Sequence, residues 1–263
     1  TDVVVAARNP GSWGNGLRVG IIDAKADQIL GINTTDASVG YGITQAVPTN
    51  TIIAGSGTTS VLDGYFKGII TEVGSGEIGV KILNHISAGG TDTQIEYQPG
   101  GKYKFSTGNI GFNTSGGVVG VATTATSTTD WFDQQSLTLT SSTTVKWNQL
   151  ADRPGTSEYA AARGSRFDEV HVVVIDGDGG VTGNSGTILE KHLSLSKAKD
   201  AEYSLGSPSY WRKFTANSSQ YIFAGSAPAG IVTTGFKSGF NLETDVNWDQ
   251  KAERYYLCSI WKL

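Results

Sequence analysis

The run Val170-His171-Val172-Val173-Val174-Ile175 limits what this chain can fold into more than any other stretch. β-Branched side chains crowd a helix and fit a pleated surface, so the run predicts a strand. Apolar residues occupy successive positions, and a strand of that kind needs cover on both faces. Phe167-Asp168-Glu169 leads into it, and Asp176-Gly177-Asp178-Gly179-Gly180 ends it with turn residues. Beyond a second glycine-marked loop, Gly183-Asn184-Ser185-Gly186, the stretch Thr187-Ile188-Leu189-Glu190-Lys191-His192-Leu193 mixes apolar and polar residues. That mixture predicts a half-buried partner strand, so the two make a hairpin with a long tip.

A chain of 263 residues has length for two domains and a sizeable core. It holds no Met, begins at Thr1 and ends just after the strand-like run Tyr255-Tyr256-Leu257-Cys258-Ser259-Ile260-Trp261, which predicts a piece of a longer protein. Charged residues make up 17%, below the roughly 25% of ordinary domains, and 35 glycines exceed the usual share. Strands joined by tight turns suit that composition better than long surface helices. The net charge of −4 comes without a basic cluster, which gives nucleic-acid binding no support. No run approaches the roughly 18 apolar residues of a membrane span, and no cationic start precedes an apolar stretch. Cys258 is the single cysteine, so no internal disulfide forms.

Along the chain, residues 2–7 read as a Val/Ala strand and Leu17–Asp23 as a second, joined by Asn9-Pro10-Gly11-Ser12-Trp13-Gly14-Asn15-Gly16. Pro-Gly and Asn-Gly mark a turn there, with Trp13 as the anchor that folds it onto the core. From Gly31 the chain breaks into short Gly/Ser/Thr-rich segments. The clearest is a hairpin, Tyr65–Val73 and Glu77–Leu83 about Gly74-Ser75-Gly76, followed by candidate strands 93–97 and 102–105. Residues 114–130 carry little apolar mass and read as a loop or flexible return arm.

The expected fold is therefore β-rich α+β: an α/β sandwich-like main domain, 1–31 with 131–225, carrying an inserted barrel-like all-β domain at 32–130. Residues 226–263 are expected to connect, through a strand near Tyr255, towards a further domain. Ser196–Ala201 and Ser207–Phe214 read as short helices, the second with Ser207 as N-cap and Pro208 at its first position. Asn217-Ser218-Ser219 reads as its break, Tyr221–Phe223 as a short strand, and 225–240 as loop.

No constellation of catalytic, cofactor-binding or metal-binding residues emerges. Asp176-x-Asp178 resembles the start of a calcium loop, but Gly180 and Thr187 fall where an EF-hand needs an oxygen donor and a bidentate Glu. A turn between strands uses the same residues. His85, His171 and His192 lack metal-ligand spacing; His171 and His192 could face each other across the hairpin, but Cys258 lies on an unrelated segment. Adjacent carboxylates Asp168 and Glu169 point to opposite faces of a strand, which spoils them as an acid/base couple. Nucleophile-elbow, phosphate-loop and dinucleotide fingerprints are missing. The chain is expected not to be an enzyme.

Several blocks carry a family resemblance. Arg153–Ala160, Asp168–Val172, Gly186–Glu190, Lys197–Ala201 and Ser219–Phe223 resemble, in that order, the middle of the contractile tail sheath proteins of T4-like bacteriophages, and Ala7–Val19 resembles the Pro-Gly-x-Trp-Gly-Asn segment common in sheath proteins of contractile phages and related injection machines. They span about half the chain; 32–130 is similar in position and character only. The resemblance implies a discontinuous α/β domain with an outer β insertion and a structural role without cofactors. It also implies partners: other sheath subunits in a helical array, the tail tube and the baseplate, in a virion assembled in the host cytoplasm. The extended arms and inner domain of such subunits lie outside a middle segment, so the chain alone is expected to be monomeric. From another class, six Trp, ten Tyr and the Gly/Ser/Thr composition fit a surface adhesin or carbohydrate-binding β protein.

Overall fold

The computed structural model describes residues 5–9, 11–47, 51–53, 60–113, 119–224 and 255–257. Contacts divide the chain into two compact units, Thr1–Lys25 with Gln135–Leu263, and Ala26–Gln134. The fold is β-rich α+β with a barrel-like sheet.

In the first unit an antiparallel sheet runs in the order Thr187–Ser196, Glu169–Asp176, Leu17–Asp23, Tyr255–Leu257. The Val-rich run is its buried inner strand. Val170, Val172 and Val174 join Leu17, Val19, Leu195 and Trp211 in one core, together with Val5, Ala7, Ile222 and Ala224 from the antiparallel pair Val5–Ala7 and Ile222–Ala224. On the opposite face Val173 lies beside Gly20. A Cβ on Gly20 would stand 2.1 Å from Leu137 Cδ1 and 3.3 Å from Trp147 Cζ2, so the missing side chain admits this second cover. Leu137 belongs to the hairpin Ser136–Thr138 and Thr144–Lys146. Cover on both faces is the requirement that the apolar run imposes.

Local details differ from the sequence reading. Within the stretch Ser196–Ala201, Ser196 ends the strand Thr187–Ser196 and 197–201 form a turn, with Ala201 N–H donating to Ala198 O at 3.1 Å. The Ser196 hydroxyl accepts from Ala198 N–H at 3.0 Å, a local bond that competes with helix formation. Ser207–Pro208 pairs with Glu202–Ser204 in a small hairpin instead of opening a helix. Gly206, at φ +82°, supplies the left-handed turn that closes it. The helix is Trp211–Ser218, with Tyr210 as N-cap, and it runs through the expected break at Asn217-Ser218. Tyr255–Leu257 joins the main sheet beside Leu17–Asp23. The loop expected at 225–240 and most of the connecting segment 226–263 lie outside the described residues.

The second unit is an antiparallel sheet in the order Val119–Ala125, Gly108–Asn113, Gly42–Ala46, Tyr65–Val73, Glu77–Ile86, Gln28–Gly31, Ser127–Asp130, with Asp92–Gln94 beside Glu77–Ile86. Its first and last strands are separated in sequence by Thr126 alone, whose N–H and hydroxyl both donate to Gly31 O, at 2.8 and 3.1 Å. One extended stretch thus pairs with both edges and curls the sheet into a barrel. The sequence reading took this stretch as a loop because it has little apolar mass. An edge-closing strand needs little, since Tyr65–Val73 and Glu77–Ile86 supply Phe66, Ile70 and Ile82 and the adjoining strand Gly108–Asn113 supplies Phe112. The unit begins before Gln28–Gly31 and ends after the helical turn Trp131–Gln134, wider than the expected 32–130, because Gln28–Gly31 pairs only with barrel strands.

Residues 102–105, expected as a strand, form the barrel's plug. Phe105 is buried among Phe66, Tyr103 and the strand residues. Two buried glutamines take the place of a ladder. Gln28 donates to Phe105 O at 3.0 Å and accepts from Phe105 N–H at 2.8 Å, and Gln45 does the same for Ser106, both at 2.7 Å. Each primary amide copies a peptide edge, leaving the buried backbone satisfied. Phe105→Ala is expected to lower the unfolding free energy by about 3–5 kcal/mol. Gln28→Leu, which strands one donor and one acceptor, is expected to cost about 1–3 kcal/mol for each. Urea unfolding checks both, and midpoints equal to wild type would refute the plug.

Candidate functional site

Two carboxylates stand at the ends of the inner strand Glu169–Asp176, and both are completely buried. Asp168 Oδ1 accepts from Ser157 N–H at 2.8 Å, and Oδ2 from Ser157 Oγ at 2.7 Å and from Ser196 Oγ. Its backbone oxygen accepts from Lys197 N–H at 2.8 Å. Ser157 in turn caps the short helix Glu158–Ala161 through Ala160 N–H. One acid therefore fixes a helix start, a strand start and the exit of the neighbouring strand. Glu169 also reaches this segment, accepting from Gly155 N–H at 2.8 Å. Asp168 precedes the strand and follows Phe167, whose φ is 64°. Serine bonded to carboxylate without an intervening imidazole lacks the base of a catalytic triad.

At the other end Asp176 accepts from the N–H groups of Gly179, Val181 and Thr182 at 3.1, 3.1 and 2.7 Å, and from Thr182 Oγ1 at 2.8 Å. Burial pushes its pKa upward, but the Thr182, Val181 and Gly179 donors outweigh that and hold it below the usual carboxylate value. Asp178 accepts from Gly180 N–H at 2.9 Å. Amide hydrogens meet the oxygens that a calcium loop would turn towards its ion, and the sequence Asp176-Gly177-Asp178 builds a turn. Among the described residues, no group of three or more His, Cys, Asp and Glu side chains could hold a metal.

The tip rests on the Ala7–Val19 block. Gly177 N–H donates to Gly16 O at 2.8 Å, and a Cβ on Gly16 would stand 2.0 Å from Asp178 Oδ1. Trp13 meets Tyr221 edge to face, with centroids 6.4 Å apart, the anchoring role expected of it. Arg8 adds a second tie. Its N–H donates to Tyr221 O at 2.7 Å, its guanidinium to Ala216 O at 2.5 Å near the helix end, and it lies 4.1 Å over Phe223.

The histidines do not converge. His171 Nδ1 accepts from Ser194 N–H at 2.9 Å, so the proton on Nε2 reaches Asp152 O at 2.8 Å. His192 lies beside Val172 in the ladder and meets Glu190 at 3.0 Å. His85 contacts Asp63 O at 2.6 Å in the other unit, and Cys258 lies outside the described residues. Sequence reasoning missed Glu190 as a clamp. Its carboxylate accepts from Ser219 Oγ at 2.5 Å and Gln220 N–H at 2.7 Å, tying the end of the helix to the sheet. It also missed the buried pairs Lys197–Asp23 at 3.0 Å and Lys81–Asp27 at 3.1 Å.

On the barrel unit a groove of about 240 Å³ is lined by Gln94, Ile95, Glu96, Gln98, Gly101, Lys102 and Tyr103. Amides, a carboxylate, an ammonium and an aromatic ring give it mixed polar and apolar walls, with Lys102 Nζ 4.7 Å from the Tyr103 centroid. Among the described residues no helix is long and apolar enough to cross a membrane. Comparison with protein-family models, curated proteins and solved structures returns no match.

Asp176→Asn places amide hydrogens against amide hydrogens and is expected to destabilise the chain at neutral pH by about 2 kcal/mol or more. Because the folded pKa is depressed, the carboxylate's contribution is present above the unfolded value near 4 and fades as pH falls through the folded one. Wild type and variant should therefore converge in unfolding free energy at low pH. A gap that stays constant from pH 7 to pH 2 would refute the assignment.

Proposed function

We propose that the chain is a middle segment of a contractile tail sheath subunit, a structural protein and not an enzyme. The observation that carries this reading is the meeting of the resembling blocks in space. Arg153–Ala160 bonds to Asp168–Val172 through Ser157, and Lys197–Ala201 joins them through the Lys197 amide. Gly186–Glu190 bonds to Ser219–Phe223 through Glu190, and Ala7–Val19 joins the latter through Arg8. The inner strand and its hairpin partner link the two groups. Sequence features shared with a family belong together when they build one framework.

In this role copies pack in a helical array around the tail tube, contact the baseplate, and pass from a long metastable packing to a shorter, wider one. Free energy is then stored between subunits, so each subunit must act as a stiff body with two sets of contacts. Buried, fully bonded acids at both ends of a two-face-buried strand supply that stiffness. The array belongs to the virion tail and assembles in the host cytoplasm.

A second reading, a carbohydrate-binding surface protein, is favoured by the groove at Gln94–Tyr103, whose amides and ring suit a saccharide. Electron microscopy of the full-length parent expressed with its tail-tube protein tests the first reading, which expects tubes with a cogwheel cross-section. Dispersed subunits under all conditions, with specific binding on a glycan array lost in Tyr103→Ala, would replace it by the second. The chain alone is expected to sediment as a monomer at micromolar concentration; filaments or rings would contradict that.

A further inference from the structure

The groove on the barrel unit is built from two segments that are held in place before any ligand arrives. In the first, Gln94 lies opposite Asn84 in the ladder and Ile95 N–H donates to Leu83 O at 3.0 Å, which fixes both residues to the strand Glu77–Ile86. In the second, Gly101 N–H donates to Gln98 O at 2.8 Å across a turn that Gly100 makes at φ +73°. Tyr103 then meets Phe66 edge to face and leans towards His85, each pair with centroids 6.4 Å apart. Walls set in this way spare a ligand the cost of ordering them.

We infer that this groove is a site for a single neutral hexopyranose ring, an inference that rests on the second reading of function and not on the sheath. Volume sets the length of the ligand. About 240 Å³ falls below the roughly 300–1,000 Å³ of sites that enclose drug-sized ligands, so one sugar ring fits and a longer chain passes out of it. Charge sets the class. Glu96 and Lys102 line the groove with one charge of each sign, so a ligand of either charge meets one like charge. The unit Ala26–Gln134 carries nine Asp and Glu against four Lys and no Arg, which repels anions further. A sugar hydroxyl donates and accepts at once, so neighbouring hydroxyls can pair with the amides of Gln94 and Gln98, the Glu96 carboxylate and the Lys102 ammonium. Tyr103 offers apolar surface to the C–H face of the ring. Lys102, whose Nζ lies 4.7 Å from the Tyr103 centroid, has a flexible stem and can yield that place.

The test is an NMR titration of the isotope-labelled chain with the methyl glycosides of glucose, galactose and mannose, and with methyl glucuronide as the anion. A ligand of about a dozen heavy atoms in an open groove binds in the millimolar range. Saturable shifts confined to the amides of residues 94–103 are therefore expected at millimolar concentration of at least one neutral glycoside, with affinity for the glucuronide at least about fivefold lower. Gln94→Ala with Gln98→Ala, at two exposed positions, is expected to weaken binding about tenfold while leaving the thermal midpoint unchanged. No saturable shift at 94–103 from any neutral glycoside, equal affinity for the glucuronide, or a double variant that binds like wild type would each overturn the inference. Failure of the second reading is distinguishable: specific glycan-array binding with shifts elsewhere on the chain keeps that reading and removes the site, and shifts at 94–103 with a silent array do the reverse.

Discussion

Burying a carboxylate is costly unless donors replace the water it loses, and the first unit does this at both ends of its inner strand. Asp168 collects Ser157 and Ser196, and Asp176 collects Gly179, Val181 and Thr182. The apolar residues between them favour burial but are nearly indifferent to direction, since dispersion and hydrophobic association have little geometry. The acids supply the direction. Each can be dehydrated only if particular loops arrive at particular angles, so burial of the strand and placement of the loops are one cooperative event.

The barrel-like unit solves a similar problem with neutral groups. Its plug has backbone polar atoms in a dry place and no neighbouring strand to take them. Gln28 and Gln45, from two different strands, act as replacement peptide edges. The stretch on either side of Thr126 then closes the sheet with small residues, because the wall facing it already holds the bulk.

What was legible in the sequence follows from range. The inner strand, its hairpin partner and the Tyr65–Val73 hairpin depend on patterns within about ten residues and were read correctly. Ser207-Pro208 is a strong local start signal that predicts the helix Trp211–Ser218 too early, and the turn at Gly206 outbids it. The clamp of Gln28 on Phe105 spans 77 residues, and that of Glu190 on Ser219 spans 29. Nothing local announces them, as a Gln in a strand looks the same whether it meets water or a backbone. Strand alternation places Asp168 and Glu169 on opposite faces but is silent on the donors from Ser157 and Ser196 that Asp168 meets.

A framework pinned in this way keeps its own shape, which the proposed role requires. Amide hydrogen exchange at neutral pH is the most direct check on that pinning. The N–H groups of Ser157, Gly179, Val181 and Thr182 lie in loops, yet they should exchange at least about a hundredfold more slowly than unprotected amides, through opening of the buried acids. Exchange of these loop amides at unprotected rates, with the inner strand still protected, would show that the acids do not hold the loops and would contradict the account.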